Sequence, residues 1–230
     1  MRRIILSFSA LFMMLSPVVA NAGGFAIGIS ASLNTLDTAG KEDVDNNGTT
    51  DATKNVSDDF ALGSIFAEFT NMGEKFGFTL GVDYIPFDGD VDKRSITQDA
   101  CGAKAGGACP HTSSGTNSVE GTVKDHYTLY IQPGYMIKPN VMLYGTLGRA
   151  SATFNGKSTS ITHTDIDKDV DLDGTKLGFG VKYVYDGGLF LKADYSKTDY
   201  DTVSFTTSNN TKATADLDNT AYALSIGKQF

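Results

Sequence analysis

Apolar side chains recur at every second position in eight stretches of the chain. The first runs through Phe25, Ile27, Ile29, Ala31 and Leu33, the second through Ala61, Gly63, Ile65, Ala67 and Phe69. The third, Phe76, Phe78, Leu80, Val82 and Tyr84, is the most regular. The fourth is Tyr127, Leu129, Ile131, Pro133 and Tyr135, and the fifth Val141, Leu143, Gly145 and Leu147. Leu177 to Tyr185, Leu189 to Tyr195 and Tyr222 to Phe230 complete the set. A period of two predicts strands with one apolar face each. The intervening positions are small or polar, as in Gly77, Thr79, Gly81 and Asp83.

The connections alternate between short and long. Asn71 to Glu74, Met136 to Asn140 and Asp186 to Gly188 are short turns, and the others are long, polar and acidic. Short turns at one end and long loops at the other predict an all-β, eight-stranded, antiparallel up-and-down barrel that crosses a membrane. A soluble barrel would turn its apolar faces inward, where these small and polar residues would instead lie outside. Tyr222 to Phe230, at ~3.3 Å per residue and a tilt near 40°, spans on the order of 20 Å, close to a hydrocarbon band. Tyr84, Tyr127 and Tyr222 at one level and Tyr135, Tyr183 and Tyr185 at the other read as aromatic girdles.

Pairing the strand ends at the short turns predicts the registers. Phe25 falls opposite Phe69, with a tip at Asn46-Asn47-Gly48, and Phe76 opposite Tyr135, with a tip near Ala105. Val141 opposite Tyr185 puts a tip at His163. Leu189 opposite Phe230 puts one at Asn209-Asn210.

Residues 1–22 read as a secretory leader: Arg2 and Arg3, an apolar run from Ile4 to Leu15, and Ala20-Asn21-Ala22 before the barrel domain over 23–230. Of 19 basic residues two belong to the leader, and the remaining 17 face 27 acidic ones. Such an acidic chain is not built for nucleic acid. Cys101 and Cys109 in CGAKAGGACP are expected to form a disulfide in an exported protein.

The final stretch, Tyr222-Ala-Leu-Ser-Ile-Gly-Lys-Gln-Phe230, resembles the last strand of the small eight-stranded outer-membrane proteins. These are the opacity-like porin family and the OmpA-type transmembrane domain. The resemblance extends over the whole mature chain. It implies a Gram-negative outer membrane, lipid and lipopolysaccharide as surroundings, and a C-terminal strand read by the barrel-assembly machinery. Tyr222, Gly227 and Phe230 match that pattern. Lys228 departs from it, since an aromatic residue is usual there.

Strand parity predicts which polar groups enter the barrel: Glu68, Asp83, Lys124, His126, Lys182, Lys192 and Asp194. Lys182 falls opposite Lys192, and two buried ammonium groups need carboxylates nearby, with Glu68 and Asp194 the candidates. An eight-stranded interior is just wide enough for side chains. The expected role is therefore structural or one of surface interaction, with a plugged lumen. The alternative is a narrow channel for small solutes or hydrophobic compounds. No nucleophile–base pair points to an enzyme: His111-Thr-Ser113 lies in a glycine-rich loop, His126 points inward and His163 sits at a tip. Arg149 and Lys197 are expected outside at the upper girdle, where lipopolysaccharide phosphates could be met.

One stretch raises a separate question. Asp165 to Gly174 reads DIDKDVDLDG, and its second half resembles the start of a calcium loop. The twelfth position, which should be glutamate, is Gly180, and in the similar Asp43-Val-Asp-Asn-Asn-Gly48 it is Lys54. The stretch is expected to be a strand with its aspartates outward and Val170 and Leu172 inward, near Ala152 and Phe154, with Lys157 opposite Asp169. No cofactor is expected in the barrel itself. The registers bring Asp173, Asp201 and Asp218 into one outward row, where calcium or magnesium would relieve their repulsion.

Overall fold

The computed structural model describes residues 23–43, 46–98, 115–159, 166–206 and 212–230. They contain β1 Gly24–Asp43, β2 Ala52–Met72, β3 Phe76–Tyr84, β4 Gly89–Gln98 and β5 Gly115–Lys138. β6 Val141–Thr159, β7 Ile166–Val184, β8 Leu189–Thr206 and β9 Lys212–Gln229 follow. Every pairing is antiparallel. Eight strands run in a ring, β3-β2-β1-β9-β8-β7-β6-β5, which closes where β3 pairs with β5. β4 continues above β3 against the same partner.

The alternation that predicts the strands also sorts their faces. Ile29, Leu33, Leu147, Phe179, Leu224 and Ile226 are exposed, while Glu68, Thr79, Thr128, Lys182 and Lys192 on the alternate positions are buried. Apolar outside and polar inside is stable only if the outside is lipid. Phe25 stands opposite Phe69 and Phe76 opposite Tyr135, as the pattern requires.

Two expected registers are displaced by two residues. Val141 pairs with Tyr183, not Tyr185. The Tyr185 amide is committed to the next turn, donating to the Leu189 carbonyl, so the ladder to β6 ends with Val184 donating to the Asn140 carbonyl. Leu189 pairs with Lys228, not Phe230, because the Phe230 amide donates across to the Phe25 carbonyl on β1. A shift of two keeps every side chain on its face. Lys157 consequently stands opposite Asp167, and Asp169 opposite Asn155. Of the expected tips, Asn46 and Gly48 are in left-handed conformations (φ 51° and 89°); Ala105, His163 and Asn209-Asn210 lie outside the described residues.

The third strand is broken where one continuous hairpin arm is expected. It stops at Tyr84 and resumes at Gly89, with Pro86 in the gap. Opposite the gap, β5 bulges between Lys124 and Tyr127, with Asp125 at φ 53°. The Ile85 amide donates to the His126 carbonyl and holds the two irregularities together. The extra residue reverses which face the upper part of β5 presents. Pro133 has no amide to give, and the β5–β6 ladder skips it and Gln132.

At ~3.3 Å per residue, a strand of about 20 residues is roughly twice as long as a lipid crossing needs. The excess rises above the outer edge marked by Tyr84, Tyr127 and Tyr222, and there the polarity inverts. Asp37, Asp169, Asp199 and Asp218 face outward, while Leu36, Leu62, Phe154, Val170, Leu172 and Leu217 take the inward positions. Water, not lipid, selects this arrangement.

Inside the membrane section, four large rings each sit directly opposite a glycine on the neighbouring strand: Phe66–Gly28, Phe190–Gly227, Tyr130–Gly81 and Tyr144–Gly180. In every pair a Cβ on the glycine would collide with the ring. The Phe66 and Phe190 centroids are 6.1 Å apart, because Gly28 and Gly227 are themselves paired. Gly227→Val should therefore cost about 1–3 kcal/mol by overpacking. Its combination with Phe190→Ala should cost less than the two singles together, since the new methyls occupy the space the ring leaves. Urea midpoints in lipid vesicles, followed by circular dichroism, check this; strict additivity would contradict it.

Candidate functional site

The centre of the lumen is built around one carboxylate. Glu68 on β2 is 1% exposed. Its Oε1 accepts from Lys192 Nζ at 2.5 Å and from the Tyr130 hydroxyl at 2.8 Å. Its Oε2 lies 3.7 Å from Lys182 Nζ. Lys182 and Lys192 are direct cross-strand partners on β7 and β8. Their like charges are tolerated because Glu68 reaches both from the opposite wall.

The rings complete the enclosure. Lys182 Nζ stands 3.9 Å from the Phe190 centroid, a cation–π contact for an ammonium with no hydrogen-bond partner among the described residues. Lys192 lies 5.2–5.6 Å from the centroids of Tyr144, Phe66 and Tyr130. It also donates to Gln132 Oε1 at 3.3 Å, and Gln132 Nε2 donates to Thr146. Glu68, Thr79, Thr128 and Phe190 have almost no solvent-accessible surface, and Lys182 and Lys192 keep only 2% and 6% of theirs.

Further carboxylates are satisfied one by one. The Tyr144 hydroxyl donates to Asp194 at 2.6 Å, and the Ser64 hydroxyl to Asp83 at 2.7 Å. Lys176 is inward between Gly148 and Thr198. Glu68, Asp83 and Asp194 thus face Lys176, Lys182 and Lys192, equal numbers of each sign. Above them His126 Nε2 lies 3.0 Å from the Tyr200 hydroxyl.

Five of the expected interior residues, Glu68, Asp83, Lys182, Lys192 and Asp194, gather in this cluster, and His126 lies over it. Lys124 does not belong there. The bulge puts it opposite Thr153, on the same side as Arg149. Lys176 has the parity of Lys182, so alternation alone places it inside. Tyr130, Tyr144, Phe66 and Phe190 were legible only by matching each ring to a glycine on another strand.

The outer rim differs from the expected row. Asp201 is not paired with Asp218, whose partners are Asp199 on β8 and Asp37 on β1. Arg149 bridges Asp201 at 2.8 Å and Asp173 at 3.6 Å, and Lys197 holds Asp218 at 3.2 Å. The repulsion that a divalent ion would relieve is met by these cations. Among the described residues no group of three or more acidic, histidine or cysteine side chains is placed to hold a metal. Cys101, Cys109, His111, Ser113, His163 and the leader lie outside the described residues. Along β9, Tyr222 at the outer edge and Phe230 at the opposite end are exposed toward lipid, and Gly227 between them lies under Phe190. Lys228 reaches back to the Gly187 carbonyl, which explains a cation at a lipid-facing position: its charge caps a turn at the interface.

A closed ring of strands with a lipid-compatible exterior and a charge-balanced core defines an integral membrane β-barrel. The chain belongs to the outer membrane protein beta-barrel domain family, whose model matches residues 4–230. It is an integral protein of the Gram-negative outer membrane. No curated protein matches it by sequence. Among solved structures it is similar to the outer membrane protease OmpT of Escherichia coli, with 10% identity over 90% of this chain and 97% of that one and a TM-score of 0.51. It is also similar to Neisserial surface protein A (11%, 91% and 100%, TM-score 0.39). A third is Ail, the attachment invasion locus protein of Yersinia pestis, solved with a heparin analogue (13%, 87% and 99%, TM-score 0.35). At these identities the likeness is one of fold.

Glu68→Ala would strand two buried ammonium groups. It should lower stability by about 3–5 kcal/mol. A Glu68→Leu, Lys182→Met, Lys192→Met triple, with no charge left to bury, should recover most of that loss. Urea unfolding in vesicles reads both, and a triple variant weaker than Glu68→Ala would contradict the ion-pair account.

Proposed function

We propose that this protein is a non-conducting anchor that holds an extended acidic β-sheet collar above the outer membrane, where it acts by surface contact. The observation that carries this reading is the Glu68–Lys182–Lys192 cluster. A permeation path would have to break a buried carboxylate away from two buried lysines. The alternative, a narrow channel for small or hydrophobic molecules, needs a continuous void at this level.

The collar's outer face is dominated by aspartate, with Arg149, Lys197 and Lys41 engaged by Asp201, Asp218 and Asp216. Lipopolysaccharide phosphates meeting Arg149 or Lys197 would compete with those carboxylates, or would be bridged to them by calcium or magnesium. The reading assigns no enzymatic role: among the described residues His126 is engaged by a tyrosine hydroxyl and stands beside no serine or cysteine nucleophile. Tyr222, Gly227 and Phe230 fit recognition by the barrel-assembly machinery. The expected disulfide of Cys101 and Cys109 would fasten the tip of the β4–β5 hairpin.

Purified protein in planar bilayers should give only baseline current. Stable openings of porin size in the wild type would overturn the proposal.

A further inference from the structure

Above the membrane the ring has a seam. β2 pairs with β3 only from Met72 to Ile65, where Ile65 stands opposite Tyr84. Higher up, among the described residues, β2 is paired only with β1, and β4 only with β5. The foot of this seam is therefore the Ile65–Tyr84 pair, and both side chains are exposed in the lipid band.

The apolar surface does not stop there. Phe87, in the break between β3 and β4, is 70% exposed, and Phe60, on the inward face of β2, is 37% exposed. Phe60 faces inward yet remains open because no described strand covers that flank. Behind it lies the apolar inner surface of the collar. Leu36, Leu62, Phe154, Val170 and Leu217 are each only partly buried, whereas Ala150, Ala152 and Leu172 lower down are packed shut. The inside of the collar is thus an apolar cup, closed beneath by the polar plug, with the β2–β4 seam on one side running upward from the outer edge of the membrane.

We propose that the cup takes an acyl chain of an outer-leaflet lipid, entering through the seam between β2 and β4. Continuity decides the occupant. Exposed apolar side chains stand along the seam, from the lipid-facing Ile65 and Tyr84 at its foot to Phe87 and to Phe60 on the cup side. A water-borne ligand approaching from the side meets an aspartate-rich exterior. A lipid chain at the seam meets Ile65, Tyr84, Phe87 and Phe60 and leaves its headgroup at the rim. Burial of its methylenes against these side chains supplies the driving force.

The protein has no tryptophan, so one introduced indole reports without background. Phe60→Trp and Leu217→Trp place reporters at the seam and on the far wall of the cup. Leu224→Trp marks the lipid band and Asn55→Trp the outward face above it. Each variant, checked for the heat-modifiable mobility of the wild type, is reconstituted in nanodiscs of phospholipid brominated along the acyl chain. Both cup reporters should be quenched comparably with Leu224→Trp and several-fold more than Asn55→Trp. Quenching of both cup reporters no greater than that of Asn55→Trp would overturn the proposal. Quenching by added dibromostearic acid in unbrominated nanodiscs, but not by brominated phospholipid, would overturn the lipid as occupant. Neither result bears on conductance, so this test and that of the closed lumen fail separately.

Discussion

The membrane section depends on one carboxylate shared by two ammonium groups. Lys182 and Lys192 face each other on adjacent strands, a placement that would repel without Glu68. Removing all three from water is costly, and their attraction repays it only with good geometry and satisfied remaining bonds. The rest of the lumen reads as the means to that end. Tyr130 and Gln132 take up polar valences, and the face of Phe190 accepts the ammonium that has no hydrogen bond. Four glycines on the neighbouring strands make the room those rings need.

A single alternation serves two solvents. Along β1, β7 and β9 the same parity that carries leucine, isoleucine and phenylalanine to lipid carries aspartate to water farther up. The inward parity changes from lysine and glutamate to leucine and valine over the same distance. From Ile166 onward DIDKDVDLDG is the upper half of β7, with Asp167 and Asp169 bonded by Asn155 and Asp173 held by Arg149. Its resemblance to a calcium loop comes from the period of a strand. The inversion also makes the collar's interior apolar, which gives the seam beside β2 its chemical interest.

Much of this was legible in the sequence because a period of two is a strong constraint. Strand existence and faces follow from it, and a register wrong by two residues leaves them unchanged; the central lysine pair follows because the β7–β8 register is the one that the Asp186–Gly188 turn predicts. The same tolerance is why the rim was misplaced. Asp201 and Asp199 share a face, so only the hydrogen bonds at the periplasmic turns decide which meets Asp218. Lys124 was misassigned for the opposite reason. A bulge of one residue reverses the face, and the Asp125 backbone that creates it carries no mark in the residue pattern. Of the ring–glycine pairs, Phe66–Gly28 and Tyr130–Gly81 follow from the expected registers, whereas Tyr144–Gly180 and Phe190–Gly227 were hidden by the displacement of two residues.

The central claim is that Glu68 and Lys192 are energetically coupled inside a sealed lumen. A double-mutant cycle with Glu68→Gln and Lys192→Met, measured by urea unfolding in lipid vesicles, tests it most directly. The coupling energy should be at the upper end of the ~0.5–3 kcal/mol range for groups in one buried network. A coupling near zero would mean that water screens the pair, and that the lumen is open where it is described as closed.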